Sequence, residues 1–252
     1  MCDDKLEILK MRDNAEGHRV HKDKAFDLPM RLLIVGKSQL SGKTNTVGNL
    51  MLRPFDDTDK SGREFYKNDF EGDNIYIVCP STLIDHKWSS IIKGKRVPPD
   101  NVMMKYDEEE LEQLYDRLET NYHDKVDAGE SPEHVLVILD DISYLGDLKS
   151  KMHGIMTKFA CNSRHLLISV MITAQKYSQI STTMRENATG LMLYSCSNKQ
   201  IDLIHADIAE SCKTDFTKMF RKATEKRHSF MVCNYSNDHE HRFMDSYFQK
   251  IV

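Results

Sequence analysis

Unbroken apolar runs set the frame of this chain. Arg31-Leu32-Leu33-Ile34-Val35-Gly36, Val135–Leu139 and residues 166–174 are apolar without alternation, the pattern of strands covered on both faces of a parallel sheet. Shorter runs at 74–79, 102–106, Gly190–Tyr194 and 230–235 predict further strands. Helical segments lie between them. Residues 42–52 read as a helix stopped by Pro54, and a short helix is expected over 86–92. Asp107-Glu108-Glu109-Glu110 places negative charge at the positive dipole end of a helix. Leu111, Leu114, Tyr115 and Leu118 then repeat at the spacing of one buried face. Another helix should run to about residue 159, and 201–223 reads as a single helical stretch. Strands alternating with helices predict an α/β fold, a parallel sheet mixed at its edges and flanked by helices. Residues 1–29, polar and mixed in charge, read as an N-terminal arm packed on one main domain, 30–252; residues 56–73 read as a polar connection.

Composition narrows the class. A chain of 252 residues with 40% hydrophobic and 29% charged residues can bury a full core without disulfides or structural metals. Its formal net charge of −4 supplies no general attraction to nucleic acid or anionic membrane, so any DNA contact needs a local basic surface. Six cysteines stand at 2, 79, 161, 196, 212 and 233 without a Cys-x-x-Cys pair, which favours free thiols in a reducing compartment over zinc or a disulfide framework. The amino terminus lacks the plan of a secretory signal and no apolar run is long enough to span a bilayer. An intracellular, soluble protein without a membrane segment is therefore expected. The sequon at Asn187-Ala188-Thr189 is a chance match on that expectation.

Gly36-Lys37-Ser38-Gln39-Leu40-Ser41-Gly42-Lys43-Thr44 lies between a predicted strand and a predicted helix, where a phosphate-binding loop belongs. Glycine lets successive backbone N–H groups curl around an anion, and the helix dipole adds positive potential there. Gly36, Ser38, Ser41, Gly42, Lys43, Thr44 and Asn45 are the candidate nucleotide-binding positions. Lys43 reaches the β- and γ-phosphates and the Thr44 hydroxyl takes a place on Mg²⁺. The usual motif has four residues between its glycines, whereas five separate Gly36 from Gly42, which puts Lys37 in the first glycine position. A strand-to-helix turn that is glycine-rich by chance is the competing reading of the loop alone.

The second apolar run ends in Asp140-Asp141, a Walker B reading in the expected order. At the tip of a strand beside the first, Asp140 holds the water shell of Mg²⁺ and Asp141 polarises the attacking water. Gln175, at the end of the strand next to that one, can touch the γ-phosphate or the water. Arg164 and Arg185 are both candidates for an arginine finger from a neighbouring subunit, and either can equally be a structural ion pair.

The succession Gly-Lys-Thr (42–44), Ile-Leu-Asp-Asp (138–141), Ser-Arg-His-Leu-Leu-Ile-Ser-Val-Met-Ile-Thr-Ala-Gln (163–175) and Met-Arg-Glu-Asn (184–187) resembles the FtsK–HerA superfamily, and within it the poxvirus-type genome-packaging ATPases of large DNA viruses. The resemblance spans roughly residues 25–245. It implies a P-loop fold of the additional-strand type and catalytic roles for Lys43, Asp141, Gln175 and Arg185 or Arg164. It further implies ATP and Mg²⁺ as cofactors, with Thr44 and Asp140 at the metal. The expected activity is an ATP-driven motor moving double-stranded DNA into a capsid. Its partners would be DNA, a capsid or portal-like vertex protein and further copies of itself in a ring, in the cytoplasm or viral factory of an infected cell, with possible association with the virion. Asp141 stands where many such enzymes have glutamate. No nuclease segment follows within the 252 residues, so genome cutting is not among the expectations.

Lys218, Arg221, Lys222, Lys226 and Arg227 form the densest basic cluster, with Lys93, Lys95 and Arg96 a smaller one. Contacts to DNA phosphate and a solvated helix end are both consistent with them. His239-Glu240-His241, and His18 with His21, lack further ligands for a metal site. Two other functions share the loop: a small-metabolite kinase, and a nucleotide-binding adaptor without hydrolysis.

Overall fold

The computed structural model describes residues 26–38, 41–54, 64–82, 84–141, 153–208 and 212–251. The strands are β1 (Arg31–Val35), β2 (Ile75–Val78), β3 (Val102–Met103), β4 (Val135–Leu139), β5 (Ile168–Ala174), β6 (Gly190–Tyr194), β7 (Phe230–Asn234) and β8 (Phe243–Met244). They form one sheet in the order β3-β2-β4-β5-β1-β6-β7-β8. Neighbours from β3 to β6 pair in parallel, whereas β7 and β8 add antiparallel. β4 and β5 are buried at every position, as uninterrupted apolar runs require in a sheet covered on both faces.

Alternation along each strand divides the core. Leu32 and Ile34 of β1, Leu136 and Ile138 of β4, and Met171 of β5 face one side. That side is covered by α1 (Lys43–Leu52) and α2 (His86–Lys95) through Val47, Leu50, Met51, Trp88 and Ile91. Leu33, Val35, Val137 and Ile172 face the other. There α3 (Glu108–Asp127), α4 (His153–Cys161), α5 (Thr182–Glu186), α6 (Asn198–Ile208) and α7 (Lys213–Ala223) form the second layer. The predicted face of α3, Leu111, Leu114, Tyr115 and Leu118, is buried, and Asp107 caps the helix by accepting the Glu110 N–H at 3.2 Å.

Several expectations change. The predicted strand over 102–106 shrinks to two residues and the helix over 86–92 extends to Lys95. The stretch 201–223 is two helices, because Cys212 takes extended backbone (φ −59, ψ 135) and starts α7 anew. The polar connection hides Phe65, Tyr66 and Phe70, all buried in the α1–α2 layer. Of the N-terminal arm, Phe26 and Leu28 are buried in that same layer, while residues 1–25, with His18 and His21, lie outside the described residues. So does the first part of the helix expected after Asp141. β4 is not beside β1: β5 lies between them. Among the described residues no helix is long and apolar enough to cross a membrane.

Candidate active site

β1, β4 and β5 end at the same edge of the sheet, and Lys43, Asp140, Asp141 and Gln175 gather there. Gly42 enters α1 in the left-handed region (φ 91), a conformation that favours glycine. Its carbonyl accepts the Thr46 N–H at 2.9 Å to start the helix. Lys43, the first residue of α1, donates from Nζ to the Gly36 carbonyl at 2.9 Å. Burial pulls its ammonium below the ordinary lysine value, and the charges of Asp141 and Asp140 oppose that shift, so both carboxylates act on this cation. Thr44 is half-buried beside it, whereas Asn45 and Ser38 are exposed and Ser41 is buried, donating from Oγ to the Lys37 carbonyl at 2.7 Å.

Gly36 does not act as a phosphate donor. Its N–H extends the β1–β5 ladder to the Ala174 carbonyl at 3.0 Å, and its carbonyl is taken by Lys43. What it supplies is room: a Cβ here would lie 2.6 Å from the Ser41 Cβ and 2.7 Å from that of Tyr194. The loop can therefore turn off β1 directly against β6 only with glycine at this position. That is a physical account of a first glycine displaced from the usual spacing.

Asp140 sits one residue past β4 and is 4% exposed. Oδ1 accepts from the Thr173 hydroxyl at 2.7 Å; Oδ2 accepts from Trp88 Nε1 at 3.0 Å and from Cys79 Sγ at 3.2 Å. Burial, then the Asp140 charge, pushes the Cys79 thiol up to about 12, so it stays protonated and donating. The Asp140 carbonyl accepts from the Tyr106 hydroxyl at 3.0 Å. Asp141 takes a positive φ of 48. Its N–H donates to Thr173 Oγ1 at 2.8 Å and its Oδ2 accepts from Gln175 Nε2 at 3.0 Å. Oδ1 of Asp141 is buried and, among the described residues, has no hydrogen-bond partner.

Thr173, Trp88, Cys79 and Tyr106 were not singled out by sequence. One signal was available for Thr173: a hydroxyl inside a fully apolar strand must find a partner, and Thr173 shares the Asp140 face of the sheet with Ser169, which accepts the Met30 N–H at 3.1 Å. No comparable signal marks Trp88, whose partner is 52 residues away.

The two arginines separate. Arg185, its side chain 10% exposed, pairs with Asp207 at 2.5 Å, donates to Thr182 Oγ1 at 3.1 Å and lies over the Tyr177 ring at 5.0 Å. It is a structural ion pair and is not brought into the site. Arg164 is exposed in the turn before β5, at the opposite end of that strand from Gln175. Its Nε donates to His165 Nε2 at 3.2 Å. Two cavities flank the phosphate loop. One, of about 260 Å³, is walled by Asn45, Thr46, Phe65, Tyr194 and Phe248. The other, of about 370 Å³, is lined by Lys37, Ser41, Lys226 and Arg227; His228 borders both.

A family model for the poxvirus A32 protein matches residues 73–246, well over half the chain. The chain belongs to the poxvirus A32 protein family. Membership makes it a viral genome-packaging ATPase, as the resemblance implied. The matched span includes Asp140, Asp141 and Gln175 but begins after the phosphate loop. No curated protein matches the chain significantly. Among solved structures, the genome packaging NTPase B204 from Sulfolobus turreted icosahedral virus 2 is similar in its AMP complex, with TM-score 0.52, 13% identity, and 81% of this chain and 92% of that one covered. Its ATP-gammaS complex gives 0.51 and 13%, covering 81% and 91%. The DNA-packaging ATPase B204 from Sulfolobus Turreted Icosahedral Virus gives 0.50 and 15%, covering 81% and 92%. At such identities these likenesses establish the P-loop fold.

Proposed function

We propose that this A32 family member binds ATP with Mg²⁺ at the β1–β4–β5 edge and hydrolyses it to translocate double-stranded DNA. It would work as a ring of identical subunits docked on a capsid or portal-like vertex in the infected cell. One observation carries the reading: Asp141 has one carboxylate oxygen fixed by Gln175 and the other buried with no partner among the described residues, within the field of Lys43. A buried acceptor that is held in place yet lacks a partner is suited to orient and polarise a water.

The donor set fits Mg²⁺. A carboxylate offers about four lone-pair sites, and Asp140 uses three of them on Thr173, Trp88 and Cys79. The remaining site would let Asp140 help to hold the hydrated cation, and the Thr44 hydroxyl would be the protein group that ligates it. Among the described residues there is no cluster of three His, Cys, Asp or Glu able to hold a metal. That agrees with a cation bound chiefly by substrate phosphates. When bound, Mg²⁺ neutralises charge on the phosphates. Lys43 places its ammonium on the same oxygens, the N–H groups at the start of α1 add their dipole, and Gln175 keeps Asp141 aimed. The cavity between Phe65, Tyr194 and Phe248 accepts the nucleoside half beside Asn45 and Thr46. Arg164, exposed at the opposite end of β5, is the finger candidate for a neighbour's site; burial in its own ion pair makes Arg185 a poor one.

The test is ATP hydrolysis with and without duplex DNA. Lys43→Ala and Asp141→Ala should each lower the rate by at least 100-fold, in line with loss of electrostatic and base contributions, and Asp141→Ala should still bind ATP. Wild-type protein that binds ATP tightly yet hydrolyses none, across DNA and salt conditions, would establish the adaptor reading instead.

A further inference from the structure

Helix α7 runs toward the nucleotide site. Phe216, Phe220 and Ala223 bury one face in the core, and the opposite face is exposed with Lys218, Arg221 and Lys222. The chain then turns through Lys226, Arg227 and His228 into β7, which starts opposite Tyr194 at the end of β6. This turn lands on the phosphate loop. His228 takes a positive φ of 65, its Nδ1 lies 3.4 Å from the Ser41 carbonyl oxygen, and the same atom is 3.7 Å from where a Cβ on Gly42 would sit. Lys226 and Arg227 line, with Lys37, the cavity that opens onto Ser41.

The charge of this segment runs against that of the chain. Residues 218–227 hold five Lys or Arg and one acid, Glu225, in a protein of net charge −4. Among the described residues, Asp215 lies 3.9 Å from Lys218, with both side chains more than 60% exposed, and Asp202 on α6 pairs with Lys213, upstream of the segment. Such exposed pairs are weak and yield to phosphate. Favourable interaction with the helix dipole accounts for Arg221 and Lys222 in the last turn. It does not account for Lys226 and Arg227, which lie beyond the helix end.

We propose that the exposed face of α7 and its basic turn form a ridge that binds the phosphate backbone of duplex DNA, and that His228 passes this contact to the phosphate loop. The inference rests on the DNA-translocating function proposed above and adds where DNA touches the subunit and how the site senses it. Such contacts carry no sequence information and are salt-dependent, since each neutralised phosphate releases counterions.

The experiment measures binding to random-sequence duplex DNA over a salt series. Lys218→Ala with Arg221→Ala changes two exposed positions that line neither cavity beside the phosphate loop, so DNA-independent ATP hydrolysis and the melting temperature should stay at wild-type values. DNA affinity at low salt should fall at least tenfold, and the slope of log K against log salt should become shallower by about two. His228→Ala should bind DNA as the wild type does yet lose the ratio of DNA-stimulated to basal hydrolysis. Unchanged affinity and slope in the double variant overturn the ridge, and an unchanged stimulation ratio in His228→Ala overturns the relay. Wild-type protein that binds no DNA at all would overturn the translocating function together with this inference.

Discussion

Thr173 shows how one hydroxyl can align two acids. It has a single proton, and that proton goes to Asp140 Oδ1; its oxygen then faces the Asp141 N–H as acceptor. The direction of both bonds is fixed, so the Asp140 carboxylate and the Asp141 backbone are set relative to one another by one fully buried side chain. Thr173→Val removes the hydroxyl at nearly constant shape and leaves the Asp141 N–H without its acceptor, a loss of about 1–3 kcal/mol. We expect a fall in kcat of tenfold or more, a higher Mg²⁺ requirement, and recovery of both in Thr173→Ser. Trp88 is the chain's one tryptophan and donates to Asp140, so its emission reports that carboxylate directly. It should shift when Mg²⁺ and nucleotide are added to wild-type protein, and start from a different value in Thr173→Val. A valine variant with wild-type Mg²⁺ response and emission would show that Thr173 positions nothing.

Among elements, the short helix α5 and its surroundings separate the two arginines. Arg185 is nearly enclosed between Asp207 and Tyr177; removing it strands a partly buried carboxylate, so Arg185→Ala should destabilise the fold by about 2 kcal/mol. Arg164→Ala, at an exposed turn, should change stability by less than about 0.5 kcal/mol. Chemical denaturation distinguishes them. When mixed with wild-type subunits, Arg164→Ala should depress hydrolysis beyond simple dilution; purely proportional loss would exclude a finger in trans. The elements themselves differ in how far the sequence reveals them. β1, β4 and β5 are plain because burial on both faces demands unbroken apolar runs. β3 and β8 span two residues each and are held by neighbours, which no local pattern records. Phe65, Tyr66 and Phe70 escape notice because they stand among charged and polar residues in a stretch that forms neither helix nor strand, although the core takes all three. In the site, Lys43 and Thr44 are legible as residue types opening a helix, and Asp140, Asp141 and Gln175 as residue types at strand ends. Thr173, Trp88 and His228 are not, because their importance comes from contacts across 32 to 187 residues.

At the level of the whole molecule, the β1–β4–β5 edge gathers Lys43, Asp140, Asp141 and Gln175, whereas neither candidate arginine of the same chain is held there. Arg164 lies at the far end of β5, and a neighbouring copy is the natural source of a cation there. Light scattering should therefore show assembly into rings when a non-hydrolysable ATP analogue and duplex DNA are both present. A monomer under those conditions would contradict the ring and, with it, the need for a finger.

The order of strands has a consequence for how the protein is made. β1 emerges early from the ribosome but sits between β5 and β6, and its register partner for Arg31 is Val170. At about 5–20 residues per second, β1 waits on the order of ten seconds for its first neighbour, and every nascent chain ending before residue 168 exposes two unsatisfied edges of a strand whose Leu32–Val35 stretch is apolar throughout. This strand, interior in the finished sheet, is thus, during synthesis, a segment that calls for shielding by a chaperone.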